Sequence, residues 1–206
     1  MRPKFFHILI LAILLASIFI PTRAVYAATI TVESFGDGNA DPSHCPGASC
    51  TLRDAIAKAS AGDKITFNMA GFPTATITLT KGELTIDKNL TIQGPGSDIL
   101  TIDANQASRI FRVGVYITSI NVSISGMTLI NGKSALGGAG IQVSNTGAVP
   151  NNISLNDMII TQNTGTDLYG GGIYNGGNLT ITNSQITDNY SYSIGGGIYS
   201  LSGTSL

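Results

Sequence analysis

The stretch Gly170-Gly171-Gly172-Ile173-Tyr174-Asn175 returns as Gly195-Gly196-Gly197-Ile198-Tyr199-Ser200, and a weaker copy, Gly138-Ala139-Gly140-Ile141, precedes both. Aligned on Gly140, Gly172 and Gly197, the glycines before the isoleucines, the copies stand 32 and 25 residues apart. A period of this size marks stacked supersecondary units, each of which buries its apolar face only against its neighbours. A second series keeps step with the first. Leu129-Ile130-Asn131-Gly132, Ile160-Thr161-Gln162-Asn163 and Ile186-Thr187-Asp188-Asn189 superpose at spacings of 31 and 26.

Outward from these repeats the chain reads as strand after strand. Ile65 and Phe67 alternate with polar residues, as do Ile77 and Leu79, Leu84 and Ile86, and Leu90 and Ile92. Ile99, Ile102, Ile110 and Val113 continue the series less regularly, and Val122, Ile124, Met127 and Leu129 resume it. Lys81-Gly82 and Gly94-Pro95-Gly96 are turn signals between runs. No helical stretch separates the strands, which argues against a βαβ sheet and leaves a parallel β-helix or an antiparallel sandwich. The repeat decides for the β-helix. Equivalent residues of successive coils stack about 4.8 Å apart, so a corner ladder of Asn131, Gln162, Asn163, Asp188 and Asn189 can satisfy corner carbonyls. Asn also tolerates the left-handed backbone of a sharp corner. A hairpin meander needs no such recurrence.

The start of the chain differs. Arg2 and Lys4 precede a 13-residue apolar run, Ile8 to Ile20, broken by Pro21; Val25-Tyr26-Ala27 offers small residues for a signal peptidase. The expectation is a signal peptide over 1–27 and a mature chain from Ala28. Thirteen apolar residues are too few for a span, which needs roughly 20. The absence of a cysteine before Cys45 argues against a lipid anchor. Without Arg2, Lys4 and Arg23, 8 basic residues face 12 acidic ones, a net charge of −4. Only 11 % of residues are charged, so the chain has no electrostatic footprint for nucleic acid. Low charge with abundant Thr, Asn, Ser and Gly suits an extracellular or cell-surface β-rich protein.

Residues 28–63 read as an N-terminal cap and 64–206 as coils. Thr51 to Ala61 forms the one convincing helix, with Thr51 as N-cap, Asp54 closing a short capping box and Gly62 as the stop. Leu52, Ala55, Ile56 and Ala59 share a face that would cover the first coil, which has no preceding coil to bury it. Cys45 and Cys50 predict a disulfide in an exported chain. His44 beside them makes an incomplete tetrahedral site, so no metal is expected.

Cys50-Thr51-Leu52-Arg53-Asp54-Ala55-Ile56 resembles the CSLREA motif that opens a family of exported bacterial repeat proteins, with Thr in place of Ser and Asp54 in place of Glu. Gly62-Asp63-Lys64-Ile65-Thr66-Phe67, Asn89-Leu90-Thr91-Ile92-Gln93-Gly94-Pro95-Gly96 and Asn178-Leu179-Thr180-Ile181-Thr182-Asn183 also look like that family. The pairing of Gly-Gly-x-Ile with Ile-x-x-Asn is similar to the repeats of polymorphic outer membrane proteins, with Ile186 where those often carry Phe. The resemblance spans nearly all of 28–206. It implies a right-handed parallel β-helix on or outside the cell, commonly extended by further coils and an anchor, and no established enzymatic activity.

Glycoside hydrolysis needs two carboxyl groups about 5 to 9.5 Å apart, and the acids of the repeats do not stack to supply them. Asp157 aligns with Gly126 and Asn183, and Asp188 with Asn131 and Gln162. A calcium-dependent lyase needs several acids and a base, yet Lys133 is the only basic residue after Arg112. Arg53 reads as a structural residue that pairs with a carboxylate or bonds strand carbonyls. The glycine runs lack the lysine and following helix of a phosphate cradle. No catalytic residue, metal ligand or cofactor is therefore assigned. Tyr174 and Tyr199 fall at equivalent positions and should stack on one side, a candidate glycan-binding face or an aromatic row that only stabilises the stack. Asn89, Asn121, Asn152, Asn178 and Asn189 begin N-x-Ser/Thr sequons, informative only if the host glycosylates them.

The expected function is a non-catalytic scaffold or adhesin-like binding module whose partner is an extracellular glycan or a cell-surface molecule. The rival is a carbohydrate-active enzyme, a polysaccharide lyase or glycoside hydrolase, with its active site in coils beyond Leu206; a weaker third reading is a structural element of the envelope. Aligned by 25 residues, Leu206 falls on Ile181 inside a strand, which predicts a fragment of a longer solenoid.

Overall fold

Alternating apolar residues in short strands leave each coil with one apolar side, and that side finds its partner in the interior shared by all coils. In the computed structural model, which describes residues 27–114, 119–144, 149–166, 169–201 and 205–206, the strands form parallel sheets stacked as a β-solenoid of about four turns. The signal-peptide reading lies outside the described residues but for Ala27. Among the described residues no helix is long and apolar enough to cross a membrane.

One long face is built from Thr29–Val32, Lys64–Phe67, Leu90–Gln93, Asn121–Ile130, Asn152–Thr161 and Asn178–Thr182, in that order. The two ten-residue strands bend midway, and their second halves pair with Leu100–Asp103 on one side and Gln185–Thr187 on the other. A second face stacks Leu84–Ile86, Phe111–Val113, Ile141–Val143, Ile173–Asn175 and Ile198–Ser200. A third, narrow face stacks Lys133–Ser134, Thr164–Gly165 and Tyr190–Ser191. The paired segments run parallel throughout, and the register aligns Leu129, Ile160 and Ile186 as well as Ile141, Ile173 and Ile198. Both repeat alignments are therefore coil-to-coil alignments.

The interior is a column of aliphatic side chains, with Ile65, Ile92, Ile124 and Leu155 stacked in one row and Phe111, Ile141 and Ile173 in another, all at 0 % exposure. One strand departs from the expected phase. Leu100, not Ile99, points inward with Ile102, because the turn that closes on Gly96 puts the odd positions outside.

The helix, α1 (Leu52–Lys58), buries Leu52, Ala55 and Ile56 in the core, together with its C-cap Ala59, as the apolar pattern predicts. Its N-terminus carries the full capping box of Thr51 and Asp54. It ends earlier than Ala61, since Ala59 has already left the helix at ψ 138°. The Asp63 carboxylate accepts the Ser60 N–H at 2.8 Å and shapes a turn, while the Lys88 ammonium donates to the Ala59 carbonyl at 3.2 Å. Gly62 serves that turn rather than the helix, with φ +93°.

Candidate functional site

In a parallel stack with fixed register, every outward position becomes a row of side chains, so the candidate surfaces are rows rather than pockets. Their geometry starts at the corners. Asn131, Gln162 and Asp188 have φ of +59°, +55° and +53°, and supply the left-handed backbone expected of them. Their side chains do not act together: Asn131 donates to Asp103 at 3.0 Å, while Gln162 and Asp188 are exposed. The next position behaves differently. Asn163 is fully buried; its carboxamide donates to the carbonyls of Leu129 and Thr161 and to Asn189 Oδ1, and accepts the Gly132 N–H at 2.7 Å. Asn189 donates in turn to the Ile160 carbonyl at 2.7 Å. The corner series thus divides into a backbone-turning row and an amide ladder that is buried at Asn163 and half-buried at Asn189.

The acids have structural work. Asp157 sits at φ +53° where Gly126 and Asn183 also take positive φ, and its carboxylate accepts the Ser97 hydroxyl at 2.8 Å. In the cap, burial pushes the Asp54 carboxyl up. Hydrogen bonds from the Thr51 hydroxyl, the Asp41 N–H, His44 and the Thr51 N–H outweigh that and hold it below its ordinary value. Burial acts on Asp37 likewise, and is outweighed by the Arg53 guanidinium and the N–H groups of Thr80 and Lys81. Arg53 also donates to the carbonyls of Gly82 and Glu83, at 2.6 and 2.9 Å. It does both things expected of a cap arginine. Cys45 and Cys50 form the disulfide, with Cα atoms 4.8 Å apart. Among the described residues no group of three or more His, Cys, Asp or Glu side chains could hold a metal ion.

Arg109 is a residue whose role sequence reasoning missed. At 5 % exposure it donates to Glu83 Oε2, to Ser134 Oγ and to the carbonyls of Gly137 and Gly138. It ties the glycine corner of one coil to the turn before another. Burial lowers its pKa against the opposing pull of Glu83. No periodic signal marks it, because it is used once.

On the second face the outward row reads Thr85, Arg112, Gln142, Tyr174 and Tyr199, in register. The rings of Tyr174 and Tyr199 stack at 5.6 Å, and Tyr169 joins Tyr199 at 4.3 Å. Burial first, then Tyr199 and Tyr169, raise the Tyr174 pKa, so its hydroxyl stays neutral. The rings share some of their faces with one another and form one half-buried platform. Arg112 stands two coils away in the same row, its Nε buried without a hydrogen-bond partner among the described residues and its Nη1 3.7 Å from Glu83.

A second row system lies on the long face. Asn178 donates to Asn152 at 2.9 Å and Asn152 to Asn121 at 2.8 Å, while the Asn121 N–H donates to Asn89 Oδ1 at 2.8 Å. Four of the five sequon asparagines are thus one ladder, and Asn189 belongs to the corner amide ladder. Their spacings in the chain, 32, 31 and 26, repeat the coil periods, a signal that reads as glycosylation motifs when each asparagine is taken alone.

Fold and surface together define a β-solenoid with in-register side-chain rows along its flanks. No protein-family model, curated protein or solved structure matches the chain.

Proposed function

We propose that this chain is an exported, cell-surface or secreted β-helix of the kind its CSLREA-like segment resembles, working as a non-catalytic scaffold or adhesin-like binding module. The observation that carries the reading is the in-register row of Arg112, Gln142, Tyr174 and Tyr199, with Tyr169 stacked against its end. A cation, an amide and an aromatic platform in one line offer charge-assisted, hydrogen-bonding and apolar contacts along the coil axis. That combination suits an extracellular glycan or a cell-surface partner. The carboxylates favour binding over catalysis, since Asp37, Asp54, Asp63, Asp103 and Asp157 are all engaged in holding turns and caps.

A glycan array with the wild-type chain and a Tyr174→Ala/Tyr199→Ala pair tests the aromatic flank: binding should fall with the pair, and unchanged binding removes that face from the reading. Incubation with a panel of polysaccharides tests the non-catalytic part. Fresh reducing or unsaturated ends would replace the module with an enzyme.

A further inference from the structure

The long face holds a groove that the aromatic flank does not touch. It encloses about 350 Å³ and runs across four strands, between the Asn121, Asn152 and Asn178 ladder on one bank and Thr91, Ser123, Ser154 and Thr180 on the other. The two banks are two residues apart along each strand, so both point outward, and Leu90, Val122 and Ile153 lie between them. Every lining residue is uncharged.

The hydrogen-bonding capacity of the banks is left half open. A carboxamide has two donors and two acceptor lone pairs, and Asn152 spends one N–H on Asn121 and one lone pair on Asn178. One donor and one acceptor remain on its exposed side. Opposite, the hydroxyls of Thr91, Ser123, Ser154 and Thr180 have no hydrogen-bond partner among the described residues. The arrangement repeats with the strand spacing of about 4.8 Å, so four strands extend it over roughly 14 Å.

We propose that this groove binds a neutral linear polysaccharide lying across the coils. Sugar hydroxyls each donate one hydrogen bond and accept two, which matches banks that offer donors and acceptors alternately. An uncharged lining gives a uronic or sulfated polymer no cation within the groove, the neighbouring Lys64 lying beyond its end opposite Thr91. A chain molecule fits because the same pair of banks recurs on each coil. The proposal rests on reading the protein as a binding module, but on a different face from the tyrosines.

The test measures binding of neutral β-1,4-linked glucan, mannan and xylan oligosaccharides, with polygalacturonate as the charged control, by titration calorimetry on the exported chain. Affinity should grow with oligosaccharide length until the groove is spanned. The triple variant Ser123→Ala/Ser154→Ala/Thr180→Ala, which leaves the asparagine ladder intact, should lose at least about tenfold in affinity, as three hydrogen bonds of ordinary strength predict. Circular dichroism of the triple variant should match the wild type. No binding of any neutral oligosaccharide, stronger binding of polygalacturonate, or full affinity in the triple variant overturns the groove. Loss confined to the tyrosine pair also overturns it, while leaving the aromatic flank standing.

Discussion

Asn163 and Asn152 are both asparagines in stacked rows, yet their energetic roles differ because one is buried and the other exposed. Asn163→Ala strips the Gly132 N–H of its partner inside the core. One buried, unsatisfied backbone group costs about 1–3 kcal/mol, which chemical denaturation should show as a clear drop in midpoint. Asn152→Ala breaks two exposed bonds that water replaces, and should cost less than about 1 kcal/mol. Equal losses in the two variants would contradict the distinction between the buried and the exposed asparagine rows. The glycines make the same point about context. A Cβ on Gly172 would stand 2.6 Å from the Gly197 carbonyl oxygen, so the recurrence of that glycine records the closeness of the next coil. Arg109 shows the limit of such reading, since a clamp used once has no period to betray it.

At the scale of elements, the cap is the part most dependent on charge. Asp37 anchors Arg53 and the Thr80–Lys81 turn, and Asp54 closes the helix capping box and holds the loop at Asp41. Both carboxyls have folded-state pKa values below the ordinary 3.8. A depressed carboxyl contributes stability that is fully present above its unfolded value and is lost as pH falls through its folded value. The cap should therefore loosen on acidification below about pH 4, a window set by the unfolded carboxyl value. Thermal melts followed from pH 7 to 2 should show the decline, and Asp37→Asn with Asp54→Asn should lower the neutral-pH midpoint and flatten the acid limb. A limb as steep in the double variant would assign acid sensitivity to other carboxylates. The helix itself was legible from Thr51 and the Leu52, Ala55 and Ile56 face. Its end was not, because Asp63 and Lys88 stop it from outside the segment.

Across the whole molecule each coil touches only its neighbours, so stability should vary along the axis. Leu155, Ile160 and Ile173 are wholly buried, whereas Ile181, Ile186 and Ile198 are only partly so. Amide hydrogen exchange should be slowest over 121–130 and 152–161 and measurably faster over 178–200; uniform protection would show that the stack opens only as one unit.

The amino-acid sequence by itself determined the parallel β-helix, the disulfide and the capping helix. Each is written in a local pattern or a period: alternation for strands, Gly and Asn returning every 25 to 32 residues for corners, and two cysteines five apart. Register could be aligned from those repeats, as the pairing of Ile141, Ile173 and Ile198 shows. Only the tertiary structure decided which rows belong together on the surface. Arg112 and Gln142 join Tyr174 because they share a register, and the sequon asparagines form one bank of a groove because their side chains point outward from neighbouring strands. The physical reason is that a strand repeats every two residues but a coil closes every 25 to 32, so neighbours across coils are distant in the chain and become a surface only when the stack is built.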